Sequence, residues 1–245
     1  MRKIILLVAL TEVILLSACK KTEELKPITI SDYSPLKVGK YITYQLDSLI
    51  FADNVNQNDR VVSYQVKHLV ADTTTDNLGR KGFRIIRYIR SNSVGNWMPD
   101  NTFTAINTGH TFEFIENYFR FLKLTEPIAN GNSWKGNSYI DTYSATSEVK
   151  YYDDWNYTYD SVYTPLKLGN ITIDSTLKVG ERADTLGNPL DPTTYSEINF
   201  SVSNYGKGIG LIYHRFLHQE YQPPTQSPKG YKVGYGITLT MIDHN

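Results

Sequence analysis

The sequence predicts an all-β protein whose strands form one strongly curved antiparallel sheet, a partly closed β-barrel. The first observation is alternation: in residues 40–51 (KYITYQLDSLIF), Ile42 and Tyr44 face one side of a strand, whereas Thr43 and Gln45 face the other. A period of two residues is typical of a strand with one buried and one wet face. The second observation is that no segment carries an apolar stripe of helical period over three turns, so we expect little helix.

Eleven further segments share this pattern and are rich in Tyr, Thr, Val and Ile, which suit a pleated, half-buried surface. The complete set of predicted strands covers residues 40–51, 60–71, 82–92, 102–108, 110–117, 118–124, 138–152, 157–164, 170–179, 196–205, 210–221 and 231–243.

Clusters of Gly, Pro, Asn and Asp separate the predicted strands, as in DNLGRKG, IANGNSWKGN and QPPTQSPKG. Strands that follow one another through short turns pair as antiparallel hairpins and meanders. A flat sheet of a dozen strands is unusual, because a twisted sheet of that size curls, closes or splits into two packed layers. A two-layer β-sandwich is therefore the alternative to the barrel.

Residues 204–216 (NYGKGIGLIYHRF) combine three glycines with a lysine, as phosphate-binding loops do. A P-loop needs Ser or Thr directly after its lysine, but Gly208 follows Lys207. A dinucleotide-binding loop needs a third glycine where Leu211 stands, and a helix after it. The residues that follow alternate as a strand, so we expect the glycines to form the turn between two strands.

Residues 1–18 have the organisation of a bacterial signal peptide. Two basic residues, Arg2 and Lys3, precede a short apolar run, and the sequence LSAC ends at Cys19. The run is too short for a membrane-spanning helix. LSAC resembles the lipobox of bacterial lipoproteins, which implies that Cys19 carries a diacylglycerol and a further acyl chain such as palmitate, and becomes the first mature residue. An ordinary signal peptide that ends near a cysteine is the alternative.

This resemblance divides the chain into three parts. Residues 1–18 are the signal peptide, residues 19–32 a charged, lipidated tether, and residues 33–245 a single all-β domain. Lys20 follows the lipidated cysteine where an aspartate would favour retention at the inner membrane, so the lipoprotein sorting rule implies the outer membrane. Whether the domain faces the periplasm or the cell exterior is left open.

Composition excludes several classes of function. The chain has 25 basic and 25 acidic residues, and removal of Arg2, Lys3 and Glu12 with the signal leaves 23 and 24. No net positive field attracts nucleic acid, so we expect no nucleic-acid partner. Cys19 is the only cysteine, so the domain has no disulfide, no cysteine-based metal site and no thiol nucleophile.

The sequence predicts no catalytic, metal-binding or cofactor-binding residues. His214 and His218 share a strand face but lie about 13 Å apart at roughly 3.3 Å per residue, too far to ligate one ion. Neither the G-x-S-x-G elbow nor the H-E-x-x-H helix of hydrolases occurs. Trp97 and Trp134 stand in or near loops, where an aromatic ring can stack on a ligand, and are the candidate ligand-binding residues. Packing within a half-buried sheet is the alternative use of these rings.

Four longer stretches resemble a family of uncharacterised Bacteroidota outer-membrane lipoproteins. They are YSPLKVGKYITYQLDS (33–48), LTEPIANGNSWKGN (124–137), YGKGIGLIYHRFLHQEYQ (205–222) and GYKVGYGITLTMIDHN (230–245). The resemblance implies one domain but no particular activity. We therefore expect a lipid-anchored envelope protein with a non-catalytic binding or structural role and an apolar or glycan ligand. A glycan-acting hydrolase or another exported enzyme is the alternative.

Overall fold

The computed structural model describes residues 27–52, 58–225 and 229–245. Cys19 and most of the predicted tether lie outside these ranges. Nearly all of the regular secondary structure of the described residues is strand (62% strand, 3% helix), which confirms the all-β prediction. The strands are β1 Tyr41–Ile50, β2 Arg60–Thr75, β3 Lys81–Arg90, β4 Met98–Asn107, β5 Thr111–Glu116, β6 Phe119–Thr125, β7 Ser133–Lys135, β8 Asn156–Leu168, β9 Ile171–Gly187, β10 Ser196–Gly206, β11 Gly210–Gln222 and β12 Tyr231–His244.

All twelve strands belong to one antiparallel sheet that is nearly closed into a barrel. Their order is β6-β5-β4-β3-β2-β1-β12-β11-β10-β9-β8-β7, so every pair of adjacent strands except β1–β12 consists of sequence neighbours, and β6 and β7 form the two edges. That pair joins the first and last strands of the domain, with Leu46 opposite Leu239. The sheet is therefore a curved barrel and not the two-layer sandwich that was the alternative.

The barrel has one unsealed seam, between β6 and β7. The backbone N–H of Leu122 donates to the carbonyl of Gly136 across it at 2.8 Å. The indole Nε1 of Trp134 donates to the carbonyl of Leu122 at 2.7 Å. The hydroxyl of Tyr159 donates to the carbonyl of Thr125 and accepts from its N–H. Side chains thus replace part of the ladder that paired strands would form.

A short helix, α1 (Ile30–Tyr33), covers one end of the barrel, which we call the N-terminal end. The Asp32 carboxylate accepts a hydrogen bond from the N–H of Thr29, the residue before the helix. This bond satisfies a donor at the start of the helix. Ile30 and Tyr33 are fully buried, and the Gly208 N–H donates to the Asp32 carbonyl at 2.6 Å. The packed region thus includes Ile30, which precedes the predicted domain start at residue 33.

The β10–β11 turn matches the prediction that its glycines shape the backbone. Gly208 and Gly210 have φ angles of 75° and 112°, which L residues with a side chain rarely adopt. The chain then enters β11, so the segment that resembled a phosphate loop is a hairpin turn.

The predicted strand at residues 138–152 is wrong. The Asp141 carboxylate accepts hydrogen bonds from the backbone N–H groups of Tyr143 and Ser144, which turns the chain. A 3-10 helix, Lys150–Tyr152, follows. The prediction also missed β7, which lies inside a stretch interpreted as a turn.

Candidate ligand-binding cavity

A cavity of about 360 Å³ lies inside the barrel below the segment that follows α1. Its lining comes from strands on opposite sides of the barrel, because the alternation of each strand directs every second side chain inward. Most of the lining is aliphatic or aromatic, and includes Tyr44, Leu46, Ile85, Phe112, Leu211 and Leu239. We call this space the apolar cavity.

A second cavity, of about 250 Å³, lies toward the opposite end. The connection between β7 and β8 folds back over this end and supplies Tyr152 and Trp155, whose ring centroids are 5.2 Å apart. Tyr152 also packs edge-to-face on Phe121 at 5.5 Å. Phe216 and Tyr235 complete the ring cluster at 5.0 Å from each other. We call this space the aromatic cavity.

The two cavities share five lining residues, of which Ile237 is apolar and four are polar or charged. These four, which we call the polar waist, are Arg87, Glu116, Lys123 and His214. They come from β3, β5, β6 and β11, so only the closed barrel brings them together.

Glu181 lies behind the polar waist and is almost fully buried, with 1% of its side chain exposed. Its Oε1 accepts from Lys123 Nζ at 3.1 Å and from Ser203 Oγ at 2.7 Å, and its Oε2 accepts from Ser201 Oγ at 2.6 Å. Burial raises the pKa of Glu181, but Lys123 and the hydroxyl donors outweigh it, so the pKa falls below its usual value. Glu181 is a paired carboxylate whose two oxygens are both engaged.

Glu116 has a different environment. Burial raises the pKa of its carboxyl group, and the charges of Arg87 and Lys123 offset this only in part. Within residues 27–52, 58–225 and 229–245, no hydrogen bond or ion pair engages the Glu116 carboxyl group. It lines both cavities and is available to a bound molecule.

Two histidines of the interior are held in the neutral form. Burial, together with the nearby charge of Arg87, lowers the pKa of His68 to about 3. Its Nε2 is buried without a hydrogen-bond partner among the described residues. Burial also lowers the pKa of His214 to about 4, against the opposing effect of Glu181. The Nδ1 of His214 lies 3.0 Å from Ser203 Oγ, so Ser203 links this ring to Glu181.

The aromatic cavity contains two carboxyl groups, Glu116 and Glu181. Glycosidases use a pair of carboxyl groups, one of which must deliver a proton or attack the sugar. Both oxygens of Glu181 accept hydrogen bonds, from Lys123 and two serines. The arrangement can hold a ligand by apolar contact and by hydrogen bonds from the waist.

The structure does not bring the two candidate tryptophans together. Trp134 lies in β7 at the seam, with its ring centroid 4.8 Å from that of Tyr159. Trp97 lies outside the barrel in the β3–β4 loop, with the Arg90 guanidinium 4.2 Å and Lys67 Nζ 4.8 Å from its ring. Both rings pack on protein groups, and ligand binding by either stays a prediction.

Fold and interior together define a β-barrel protein with ligand-sized internal cavities. Comparison with known proteins adds no relative, since no family model and no curated protein matches the sequence. Among the described residues, no helix has the length and apolar character to cross a membrane. The same residues contain no group of three or more His, Cys, Asp or Glu side chains arranged to hold a metal ion.

Proposed function

We propose that this chain is a lipid-anchored cell-envelope protein that binds a small, largely apolar molecule inside its barrel without transforming it. The apolar cavity is the observation that carries this proposal. Its volume of about 360 Å³ lies within the range of roughly 300–1,000 Å³ typical of small-molecule sites. An apolar lining with few polar groups is also typical of such sites.

Anchoring through Cys19 is part of the proposal. The lipobox resemblance supports it, and the outer membrane is the proposed location. The described chain starts at the N-terminal end of the barrel, where α1 packs. A lipid on Cys19 would therefore place this end toward the membrane. Cys19→Ala is expected to move the protein from the membrane fraction to the soluble fraction. Retention of the variant in the membrane would contradict the anchor.

Binding can be tested with N-phenylnaphthylamine, an apolar dye that fluoresces when it leaves water. We expect the purified protein to bind it saturably. Leu46→Trp places a large ring in the apolar cavity and should weaken dye binding at least tenfold. Gln45→Trp is the matched control, because Gln45 precedes Leu46 in β1 and points to the outer face.

Three results would count against this function. Absence of saturable dye binding would exclude the apolar cavity as a site, and equal binding by Leu46→Trp and wild type would place the dye elsewhere. Release of reducing sugar from envelope glycans by the purified protein would favour the hydrolase alternative instead.

A further inference from the structure

The polar waist places charged groups in a largely apolar interior. Its two cations are each paired with a carboxylate outside the waist, whereas Glu116 is not paired within the described part of the chain. Arg87 Nε donates to Asp100 Oδ2, so one carboxylate already neutralises this guanidinium. Lys123 Nζ pairs with Glu181 at 3.1 Å, so its charge is also neutralised. Neither cation of the waist is left without an anion.

Hydrogen-bonding capacity is nevertheless left over at the waist. Arg87 uses only Nε in its hydrogen bond to Asp100, and no other hydrogen bond engages its Nη atoms within the described ranges. Glu116 is one strand away from the β6 residue Lys123 and has no partner of its own among those residues. Arg87 and Glu116 are half-buried at the wall of the apolar cavity. Polar groups that lose water without gaining a partner are costly, so this combination favours an occupant that supplies the missing partners.

We infer that the ligand is an amphiphile with a neutral headgroup, such as an amide or a hydroxyl, which hydrogen-bonds Glu116 and Arg87 while its alkyl chain fills the apolar cavity. This inference rests on the proposed function, because it assigns a ligand class to the same cavity. The waist lies where the apolar cavity meets the aromatic cavity, so a headgroup there leaves the chain directed toward the N-terminal end.

A neutral headgroup fits the waist better than a charged one. An anion would find both cations already paired, and it would approach the ionised Glu181, which repels it. A cation would need an ionised Glu116, and a charge pair in this buried setting loses its hydration on both sides. An amide both donates and accepts, so it can satisfy the Glu116 carboxyl group and an Arg87 N–H group at once.

The inference can be tested by displacement of N-phenylnaphthylamine with four amphiphiles that share one alkyl chain: decanamide, decanol, decanoate and decylamine. We expect decanamide and decanol to displace the dye at concentrations at least tenfold lower than decanoate or decylamine at pH 7. Tightest binding of decanoate would make the waist an anion site. Tightest binding of decylamine would make Glu116 a counter-ion. Either result would overturn the inference that the ligand has a neutral headgroup.

A variant of Glu116 tests whether this residue hydrogen-bonds the headgroup. Glu116→Leu should raise the dissociation constant of decanamide about tenfold, the loss of one hydrogen bond to a buried group, and leave dye affinity within a factor of two to three. Glu148→Leu, at an exposed position, is the control. Failure of the wild type to bind the dye would refute the binding function itself. Normal dye binding with unchanged decanamide affinity in Glu116→Leu would refute only the headgroup assignment.

Discussion

Each side chain of the polar waist stands on a strand face that is otherwise apolar. Glu116 follows Phe114 at two-residue spacing, Lys123 follows Phe121, and Arg87 follows Ile85. This signal was present in the sequence, because a charged residue on a buried face needs a partner or a purpose. Ring type and loop position instead favoured Trp97 and Trp134 as the ligand-binding residues, and neither lies at the waist.

What the sequence does not contain is the distance between these side chains. Arg87, Glu116 and Lys123 come from three strands, whereas Glu181 lies far along the chain in β9. The pairing of Lys123 with Glu181 depends on closure of the barrel across the seam. Alternation predicts which way each residue points, but curvature decides which residues meet.

His68 should make the protein sensitive to acid. Its folded-state pKa of about 3 lies below the ordinary value of 6.5, so between these pH values the unfolded chain binds a proton that the folded chain excludes. Stability conferred by the neutral ring is complete above pH 6.5 and falls as the pH is lowered, by up to about 1.4 kcal/mol per pH unit. Glu116 has the opposite effect on the pH dependence of stability, because its folded-state pKa is raised and the folded chain therefore takes up its proton first as the pH is lowered.

The variant His68→Phe removes the contribution of His68 to the pH dependence of stability. Phenylalanine keeps the ring contacts with Tyr44 and Phe103 and removes the unpartnered Nε2. Urea unfolding at pH 7.5 and pH 5 should show a loss of stability in the wild type that is about 2 kcal/mol larger than in the variant. His244→Phe, at an exposed position, should retain the wild-type loss. An equal loss in His68→Phe and wild type would show that His68 takes up its proton without unfolding.

At the scale of elements, strands were predicted well where alternation and turn residues agreed. β1, β10, β11 and β12 match their predicted segments to within a residue or two. The segment 138–152 alternates only briefly: Ile140 and Thr142 are buried, whereas Tyr139 is 60% exposed and Tyr143 is 82% exposed. Local hydrogen bonds to Asp141 outcompete strand pairing there. Alternation predicts a strand only where no local side-chain hydrogen bonds compete for the backbone.

Glycines with positive φ should differ in their tolerance of a side chain. At Gly208, in the β10–β11 turn, a Cβ would meet no atom within 4 Å, so Gly208→Ala should cost only the strain of its φ angle, about 1–2 kcal/mol. At Gly234, inside β12, a Cβ would lie 2.2 Å from the carbonyl oxygen of His218 in the paired strand β11. Gly234→Ala must therefore displace one strand from the other.

Thermal unfolding of the two alanine variants measures the difference. Both should melt below the wild type, and the free-energy loss for Gly234→Ala should be at least twice that for Gly208→Ala. Amide exchange in β11 and β12 should quicken only in Gly234→Ala. Similar losses in the two variants would mean that the β11–β12 pair adjusts to a side chain without cost, against the steric argument.

At the scale of the whole molecule, sequential hairpins determine nearly the entire strand order. Because the strands pair with their sequence neighbours within β1–β6 and within β7–β12, two meanders follow from the turns alone, and only the β1–β12 pair and the seam remain to be fixed. Closure through β1 and β12 buries the apolar faces of both strands, including Tyr44 and Met241.

The role of α1 could not be predicted, since ITISDYSP has no helical stripe and precedes the first strand. Its burial depends on three distant parts of the chain, Asn107, Ser175 and Gly208, which meet only in the barrel.

Removal of α1 from its position should therefore expose the N-terminal end of the barrel without unfolding the sheet. Ile30→Asp places a carboxylate at a fully buried position, whereas Ile28→Asp places it at a residue that is already 37% exposed. Burial of an unpaired charge is unfavourable enough to detach a four-residue helix, which is held mainly by packing and a few hydrogen bonds. We expect trypsin to cleave Ile30→Asp after Lys37 at least tenfold faster than it cleaves Ile28→Asp or wild type, with strand content by circular dichroism unchanged.

N-phenylnaphthylamine should also dissociate faster from Ile30→Asp, because Ser34, Pro35 and Leu36, which follow the helix, line the apolar cavity. Equal cleavage of the two variants would show that α1 does not control access to this end, and loss of strand signal in Ile30→Asp would show that the helix is part of the barrel core and not a cover over it.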